Sequence, residues 1–330
     1  MKIAVVILNW NGKKLLEQFL PSVVAFSKEA TIYVADNASD DTSVNFLKSQ
    51  FPEIKIIQNK ANYGFAKGYN EALKHIKEPY YALINSDIEV TENWLIPILE
   101  TFEENSKIVI IQPKILDYKN KTCFEYAGAA GGFIDQFGYP FCRGRIFNTI
   151  EKDNLQYDTK CSIFWASGAC FFIRKSTFEK LNGFDTDFFA HQEEIDLCWR
   201  SFNLGFEILY HPKSVVYHVG GATLQQGKPL KTFLNFRNSL LMLTKNLPGN
   251  RVFPILFIRL CLDGLAGIQF MVQGKFSHCW AIIRAHFAFY LLFIQTYRKR
   301  GKFQSKSYFK TKSIVWLYYI KNGKVFEKLF

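Results

Sequence analysis

Apolar residues in the first 115 positions fall into short unbroken blocks separated by stretches with helical spacing. The blocks are Ile3–Leu8, Thr31–Ala35, Ile54–Gln58, Tyr80–Ile84 and Ile108–Ile111. They do not alternate apolar with polar, as a strand with one wet face would. Continuous runs fit parallel strands covered on both faces. Residues 13–26, 40–50, 66–76 and 92–104 carry the helical pattern, with Ser39 and Thr91 placed to cap the second and fourth. Strand alternating with helix predicts βαβ units and a doubly wound α/β sheet.

The pattern then changes twice. Residues 116–160 lose periodicity and hold Gly128, Gly131, Gly132, Gly138 and Gly144, which predicts an irregular active-site loop region. A strand-like run follows over 163–173, a helix over 193–204 with acids in its first turn, and short strands at Glu207–Tyr210 and Val215–His218. Beyond residue 230 the chain reads as helical over 232–246, 252–273 and 279–297. The last two are apolar enough to resemble membrane spans, but Arg259 and Asp263 interrupt one, and Arg284 and His286 the other. A span needs about 20 mostly apolar residues, and charge at its centre is costly. The expectation is amphipathic helices lying in a membrane interface. The chain thus divides into a catalytic domain over 1–230 and a helical, membrane-associating region over 231–330.

Charge sharpens that division. The net charge is +12, and residues 231–330 hold 17 Lys+Arg against 2 Asp+Glu, leaving the first 230 slightly acidic. In the tail 297–330, basic residues interleave with Tyr, Phe and Trp, a composition suited to an anionic leaflet. The same composition suits nucleic acid; the expected partner here is an anionic membrane surface and no nucleic acid. Seven cysteines, an odd number at wide spacing and without CxxC, fit a reducing compartment. The N-terminus runs directly into a strand, so no signal peptide is expected. The predicted location is cytoplasmic, peripheral on the inner face of the cell membrane.

The candidate chemistry sits where apolar runs stop. Asp36 ends the second strand, where it can accept from a pyrimidine ring N–H or merely cap a turn. The stretch from Asn62 to Asn70 follows the third strand; its glycines allow close backbone approach, and Lys67 adds charge for a diphosphate. Asn85, Ser86 and Asp87 end the fourth, with Asp87 a metal ligand or a capping residue. Glu193, Glu194 and Asp196 put three carboxylates within four residues beside aromatics, either as proton acceptors or as an acidic first turn. His218 ends a strand before Gly220 and Gly221 and is a structural imidazole or a ligand. In an open α/β sheet these strand ends share one cleft.

In order, these segments resemble the family-2 glycosyltransferases of the GT-A fold. The matching stretches are Val5–Gly12, Val34–Ser39, Asn62–Asn70, Leu83–Asp87, Ser167–Cys170, Gly183–Asp185, Glu193–Arg200 and His218 with its glycines, together spanning roughly residues 3–225. The resemblance implies a GT-A doubly wound mixed sheet, a nucleotide-diphosphate sugar donor, Mn²⁺ or Mg²⁺, and inversion at the transferred sugar. By position, Leu8, Asn9, Asn11 and Asp36 would hold the base, and Asn62, Gly64, Phe65, Lys67 and Asn70 would line the nucleoside and diphosphate. Asn85 and Ser86 would flank the diphosphate, with Asp87 and His218 on the metal. Glu194 would be the catalytic base, Glu193 able to exchange roles with it, and Asp196 a contact to the acceptor. Two positions depart from the family pattern: Asn85 stands for the first aspartate of a DXD-type motif, and Glu194 for an aspartate. Without a Gln-x-x-Arg-Trp motif, transfer of a single sugar is expected. The tail adds a likeness to bacterial rhamnosyltransferases that use saccharide or lipid-linked saccharide acceptors in surface polysaccharide synthesis. The alternative is an inactive, sugar-nucleotide-binding, membrane-associated protein.

Overall fold

A computed structural model describes residues 1–220 and 228–330; Gly221 lies outside them. The first half is the expected alternation: β1 (Ile3–Asn9), α1 (Lys13–Phe26), β2 (Ala30–Asp36), α2 (Ser43–Gln50), β3 (Lys55–Gln58), α3 (Gly64–Leu73) and β4 (Tyr80–Asn85). A short β5 (Ile88–Val90), α4 (Ile96–Glu104) and β6 (Ile108–Asp117) follow. Next come β7 (Gly132–Ile134), β8 (Pro140–Cys142), β9 (Arg145–Ile146) and β10 (Thr149–Ile150). Then follow β11 (Cys161–Ser162), β12 (Cys170–Arg174), α5 (Lys175–Lys180), α6 (Glu193–Asn203) and β13 (Glu207–His218). The chain closes with α7 (Pro229–Asn246), α8 (Gly249–Val272), α9 (Phe276–Arg298) and α10 (Ile314–Tyr319).

The central sheet runs β11-β13-β6-β12-β4-β1-β2-β3, with β5 paired to β13. It is mixed: β4, β1, β2 and β3 are parallel, while β12 inserts antiparallel between β4 and β6. Ile3 to Ile7 of β1 are buried, as are Tyr81 to Ile84 of β4, which is why their sequences read as unbroken apolar runs. One cluster on each face forms the core. Register then does the functional placing. Asn9 pairs with Asp36, and Leu8 with both Ala35 and Asn85, so three polar strand ends share one edge.

Several expectations are corrected. Neither predicted cap caps. Ser39 donates its hydroxyl to Asp36 (2.6 Å), and α2 starts four residues later; Thr91 donates to the Val215 carbonyl (2.8 Å), and α4 starts at Ile96. Residues 116–160 are not an irregular loop, because β7–β10 form a four-stranded antiparallel sheet. Its strands are two or three residues long, too short for any period to register. The two short strands at 207–218 are one, bulged between His211 and Val215.

The C-terminal residues are not a separate layer. Leu240 to Leu243 of α7 are wholly buried in the main core cluster, joined by Val252, Phe289, Tyr308, Ile314 and Phe326. The aromatic tail folds back on α6 and the small sheet: Tyr308 stacks on Trp199 of α6, and Phe326 packs on Phe133 of β7 and Phe141 of β8. Its lysines, including Lys302, Lys306 and Lys312, stay exposed. The aromatics that read as a membrane signature are thus partly a core signature.

Candidate active site

At the β1–β2 edge, Asn9 and Asp36 are fully buried and bonded to each other, Asn9 Nδ2 to Asp36 Oδ1 at 3.0 Å. Asp36 also accepts from the Ser39 backbone N–H (2.9 Å) and hydroxyl. It therefore forms the floor of a pocket rather than an open carboxylate. Asn9 Oδ1 has no partner, and a Cβ on Gly12 would lie 2.4 Å from it and 3.7 Å from Ser86 Oγ. Asn11, in the left-handed region, accepts from Asp40 N–H at 2.9 Å and closes the rim, and Leu8 lies below Gly68.

The stretch from Asn62 to Asn70 is stitched to this edge by two residues outside the expected set. Asn37 donates to the Gly64 carbonyl (2.9 Å), and Asn59 donates to Asn37 and to the Gly68 carbonyl. Asn62 accepts from Gly64 N–H (3.0 Å), and the exposed Lys67 ammonium rests 4.2 Å above the Tyr63 ring. Asn70 does not belong to the donor surface. Its amide donates to the Phe184 carbonyl (2.8 Å) and accepts from Phe184 N–H (2.9 Å), so both ends are spent tying α3 to the Gly183–Asp185 turn.

After β4, Asp87 is buried, with its Oδ1 at 3.2 Å from His218 Nε2. On the other side of that ring, Nδ1 lies 3.2 Å from Glu125 Oε1. Asn85 Nδ2 approaches His218 Nε2 at 3.5 Å. Burial alone would lower the His218 pKa, but Glu125 and Asp87 outweigh it and raise it to about 10. Metal-free, His218 is a cation held between two carboxylates. A bound divalent ion would displace its proton. An aspartate oxygen beside an imidazole nitrogen suits Mn²⁺ or Mg²⁺, so the residues fit such an ion. Among the described residues no group of three or more His, Cys, Asp or Glu is placed to hold one, which leaves the remaining positions to substrate phosphate and water.

Across the cleft, the Asn85 N–H bonds the Ala169 carbonyl (2.9 Å), and a Cβ on Gly168 would lie 3.6 Å from the side chains of both Glu194 and Phe65. These contacts bring α6 to the end of β4. Glu193 is buried and Glu194 half-buried, and each has one buried oxygen without a partner among the described residues; Gln192 Oε1 and the ring nitrogen His191 Nε2 just before them also lack one. Burial raises both carboxyls. Glu194 is raised to about 7; Glu193 goes well above the ordinary range, pushed further by Glu194. Burial also lowers His191, to about 4, so its imidazole is neutral. Four successive residues with unsatisfied polar atoms at the start of one helix describe a site built for a polar ligand.

Asp196 departs from expectation. It is fully buried, with Arg200 (2.7 Å) and Lys245 (2.9 Å) on one oxygen and Asn246 (2.8 Å) on the other. Burial raises its pKa, but these cations prevail and hold it low. No oxygen remains for an acceptor, so Asp196 anchors α6 to α7. Glu125, Asn37, Asn59 and Lys245 were outside the expected site. Asn37 lies inside the matching stretch Val34–Ser39, and Lys245 falls with Asn238 and Asn246 on one helical face that otherwise buries leucines; Glu125 and Asn59 carried no such signal.

Residues 4–181 match Glycosyl transferase family 2, over half of the chain. The chain belongs to that family. The matched span ends before Glu193, so the α6 carboxylates stand on the geometry above. Among curated proteins, the chain is 23% identical over 235 residues to the N-acetylglucosaminyl-diphospho-decaprenol L-rhamnosyltransferase of Mycobacterium tuberculosis, covering 66% of this chain and 75% of that one. It is 24% identical to the rhamnosyltransferase WbbL of Escherichia coli, covering 66% and 83%. Among solved structures, S. aureus TarS 1-349 in complex with UDP-GlcNAc superposes with a TM-score of 0.58 at 16% identity, over 90% of this chain and 81% of that one. GalNAc-T7 with UDP, GalNAc and Mn²⁺ gives 0.59 at 16%, over 76% of this chain and 48% of that one. The fold is therefore GT-A, and this glycosyltransferase resembles rhamnosyltransferases.

Proposed function

We propose that this glycosyltransferase moves one sugar, with inversion, from a dTDP-rhamnose- or UDP-hexose-type donor to a saccharide or lipid-linked saccharide acceptor in cell-surface polysaccharide synthesis. The observation that carries this reading is Glu194: a carboxylate raised to about 7, with one buried oxygen that has no partner, close enough to Gly168 that a Cβ there would lie 3.6 Å from it. A base of that pKa takes a hydroxyl proton near neutral pH, and such catalysis contributes roughly 10²–10⁴-fold. Glu193, raised by burial and by its neighbour Glu194, lies beside the same acceptor position. The Asn9–Asp36 floor and the loop from Asn62 to Phe65 orient the nucleoside, Asn85 and Ser86 flank the diphosphate, and Lys67 adds a cation. Asp87 and His218 would hold Mn²⁺ or Mg²⁺, whose charge offsets that of the departing diphosphate. The GalNAc-T7 structure, solved with UDP, GalNAc and Mn²⁺, supports this choice of ion. Inactivity as a mere sugar-nucleotide binder is the second reading, favoured by Asn85 where the family has an aspartate.

The acceptor class agrees with a face on the C-terminal hairpin. The helices α8 and α9 run antiparallel, with Phe253 against Phe293 and Phe270 on His278. Arg259, Asp263 and His286 point inward, Arg259 reaching the Phe137 carbonyl and Ser239. Outward stand Phe257, Leu265, Val272, Trp280, Phe287 and Leu291, each more than half exposed. With Arg259, Asp263 and His286 turned in, Arg284 exposed and the apolar side chains out, the hairpin fits lying on an anionic bilayer, peripheral on the cytoplasmic side.

Two measurements test these readings. Nucleoside diphosphate release is followed with Mn²⁺ or Mg²⁺, a panel of UDP-, GDP- and dTDP-sugars, and lipid-linked saccharide acceptors. Release from one donor is expected; donor binding without release from any would favour the inactive binder. Vesicles of phosphatidylglycerol should sediment the protein, and a Phe257→Ser/Leu291→Ser variant should stay in solution.

A further inference from the structure

The loop that leads into the α6 carboxylates is hung almost wholly from helices beyond residue 228. It is an unfavourable loop: Phe189, His191 and Gln192 all have positive φ, at 53°, 70° and 74°, and none is glycine. Such residues cost of order 1 kcal/mol or more each and persist only where the surroundings over-determine them. Asn238 of α7 supplies that determination. It is fully buried, and its Nδ2 donates to the carbonyls of Phe188 (2.9 Å), Ala190 (2.9 Å) and His191 (2.7 Å). Its Oδ1 accepts from Arg237 Nε (2.9 Å), which fixes the amide so that the nitrogen faces the loop. Arg237 itself donates to the Asp187 carbonyl (2.9 Å). On the far side, the Phe189 carbonyl accepts from Phe65 N–H (2.8 Å), so the same turn touches the donor loop.

We propose that Asn238, oriented by Arg237, is a positioning residue for catalysis: it sets the left-handed turn at 189–192 and thereby aims Glu194 and registers it against the donor loop. This rests on the reading of Glu194 as base. The C-terminal helices are then part of the catalytic apparatus, and the hairpin that meets the membrane is continuous with the element that holds the base.

The test compares wild type with Asn238→Ala, Asn238→Asp, Arg237→Ala, the Arg237→Ala/Asn238→Ala pair and Glu194→Gln, all as full chains. Turnover is read on the donor found in the panel, with binding of UDP and Mn²⁺ by calorimetry. Asn238→Asp keeps the shape but, ionised, donates nothing. Both Asn238 variants should lose about ten- to a hundredfold in kcat, the scale of a misplaced catalytic group. UDP affinity should stay within about twofold, because the donor floor is built elsewhere. The acid limb of the kcat profile should move down from about 7 as a slack loop lets water reach Glu194. Hydrogen–deuterium exchange should rise in peptides covering 186–195 and not in those covering β1 and β4. The pair should lose no more than Asn238→Ala alone, since the two act as one unit. A kcat within about twofold, with profile and exchange unchanged, overturns the proposal. So does a uniform rise in exchange with UDP affinity lost in parallel, which would make Asn238 an ordinary core residue. Glu194→Gln separates the failures: full turnover there removes the base itself, whereas its loss beside an unaltered Asn238→Ala enzyme removes only the clamp.

Discussion

The donor side and the acceptor side of the cleft are held by different physics. On the donor side, Asn9, Asp36 and Asn85 are placed by the register of three parallel strands, so the hydrogen-bonded sheet sets their spacing. On the acceptor side, Glu193 and Glu194 follow a turn with three non-glycine residues at positive φ; Asn238 of α7 holds that turn in place, and Gln295 of α9 and Lys299 bond Asp187 just before it. Binding of a nucleotide tolerates a rigid surface. Proton transfer needs one carboxylate kept dry and aimed, which calls for contacts from far along the chain.

The largest test of that contrast is Glu194→Gln, expected to cut turnover by roughly 10²–10⁴-fold while leaving nucleotide affinity within about twofold. Rate against pH should sharpen it. The wild-type kcat should rise through about pH 7 as Glu194 ionises. The contribution of Glu194 to stability should move the other way: a carboxyl with a folded pKa above its unfolded value binds the extra proton in the native state, so the melting temperature of wild type relative to Glu194→Gln should fall as pH climbs from about 4.5 to 7. His191 and His211, lowered by burial to about 4, act in the opposite direction in both proteins and cancel from the difference. A difference that stays constant over that window would place Glu194 in water.

Next in size is Glu125→Gln, which leaves the donor floor intact but removes one counter-charge of His218. Partners that orient a ligating imidazole are worth about 10–100-fold in metal affinity, so Mn²⁺ titration of the UDP complex should shift by that much. An unchanged titration would take His218 out of the metal site. Gly64→Ala probes the seam between the two sides. At φ +71° its Cβ would meet the Phe189 ring and carbonyl at 2.7 Å, so both nucleotide affinity and kcat should drop, and loss of only one would show that the sides move independently. The smallest effect is expected of Lys299→Ala. Lys299 pairs with Asp185 and Asp187 at 2.7 Å each but is partly exposed, so thermal stability should fall by less than about 1 kcal/mol and the difference should fade in salt.

Legibility followed the same line. The parallel strands and the three polar ends on them were visible because unbroken apolar runs and their stops are local signals. That Leu8, Asn9, Asp36 and Asn85 end neighbouring strands at one edge of the sheet could thus be read from order along the chain. Asn70 and Asp196 looked the same in sequence as residues facing a ligand, yet each is spent on a protein contact more than 45 residues away, at Phe184 and at Lys245. Glu125 sits in a stretch whose strands are too short to have a period, and nothing near it predicts that His218 will lie 3.2 Å away.

The sequence alone determined the fold class, the family, the polar strand ends that meet at one sheet edge and the presence of a carboxylate pair, because each is written in residue type and near-neighbour spacing. Only the tertiary structure decided that Asp196 is an anchor, that the basic aromatic tail packs on the small sheet, and that α7 holds the loop before α6. Those outcomes depend on burial and on partners distant in the chain, and a polar side chain carries no mark of the group that will satisfy it.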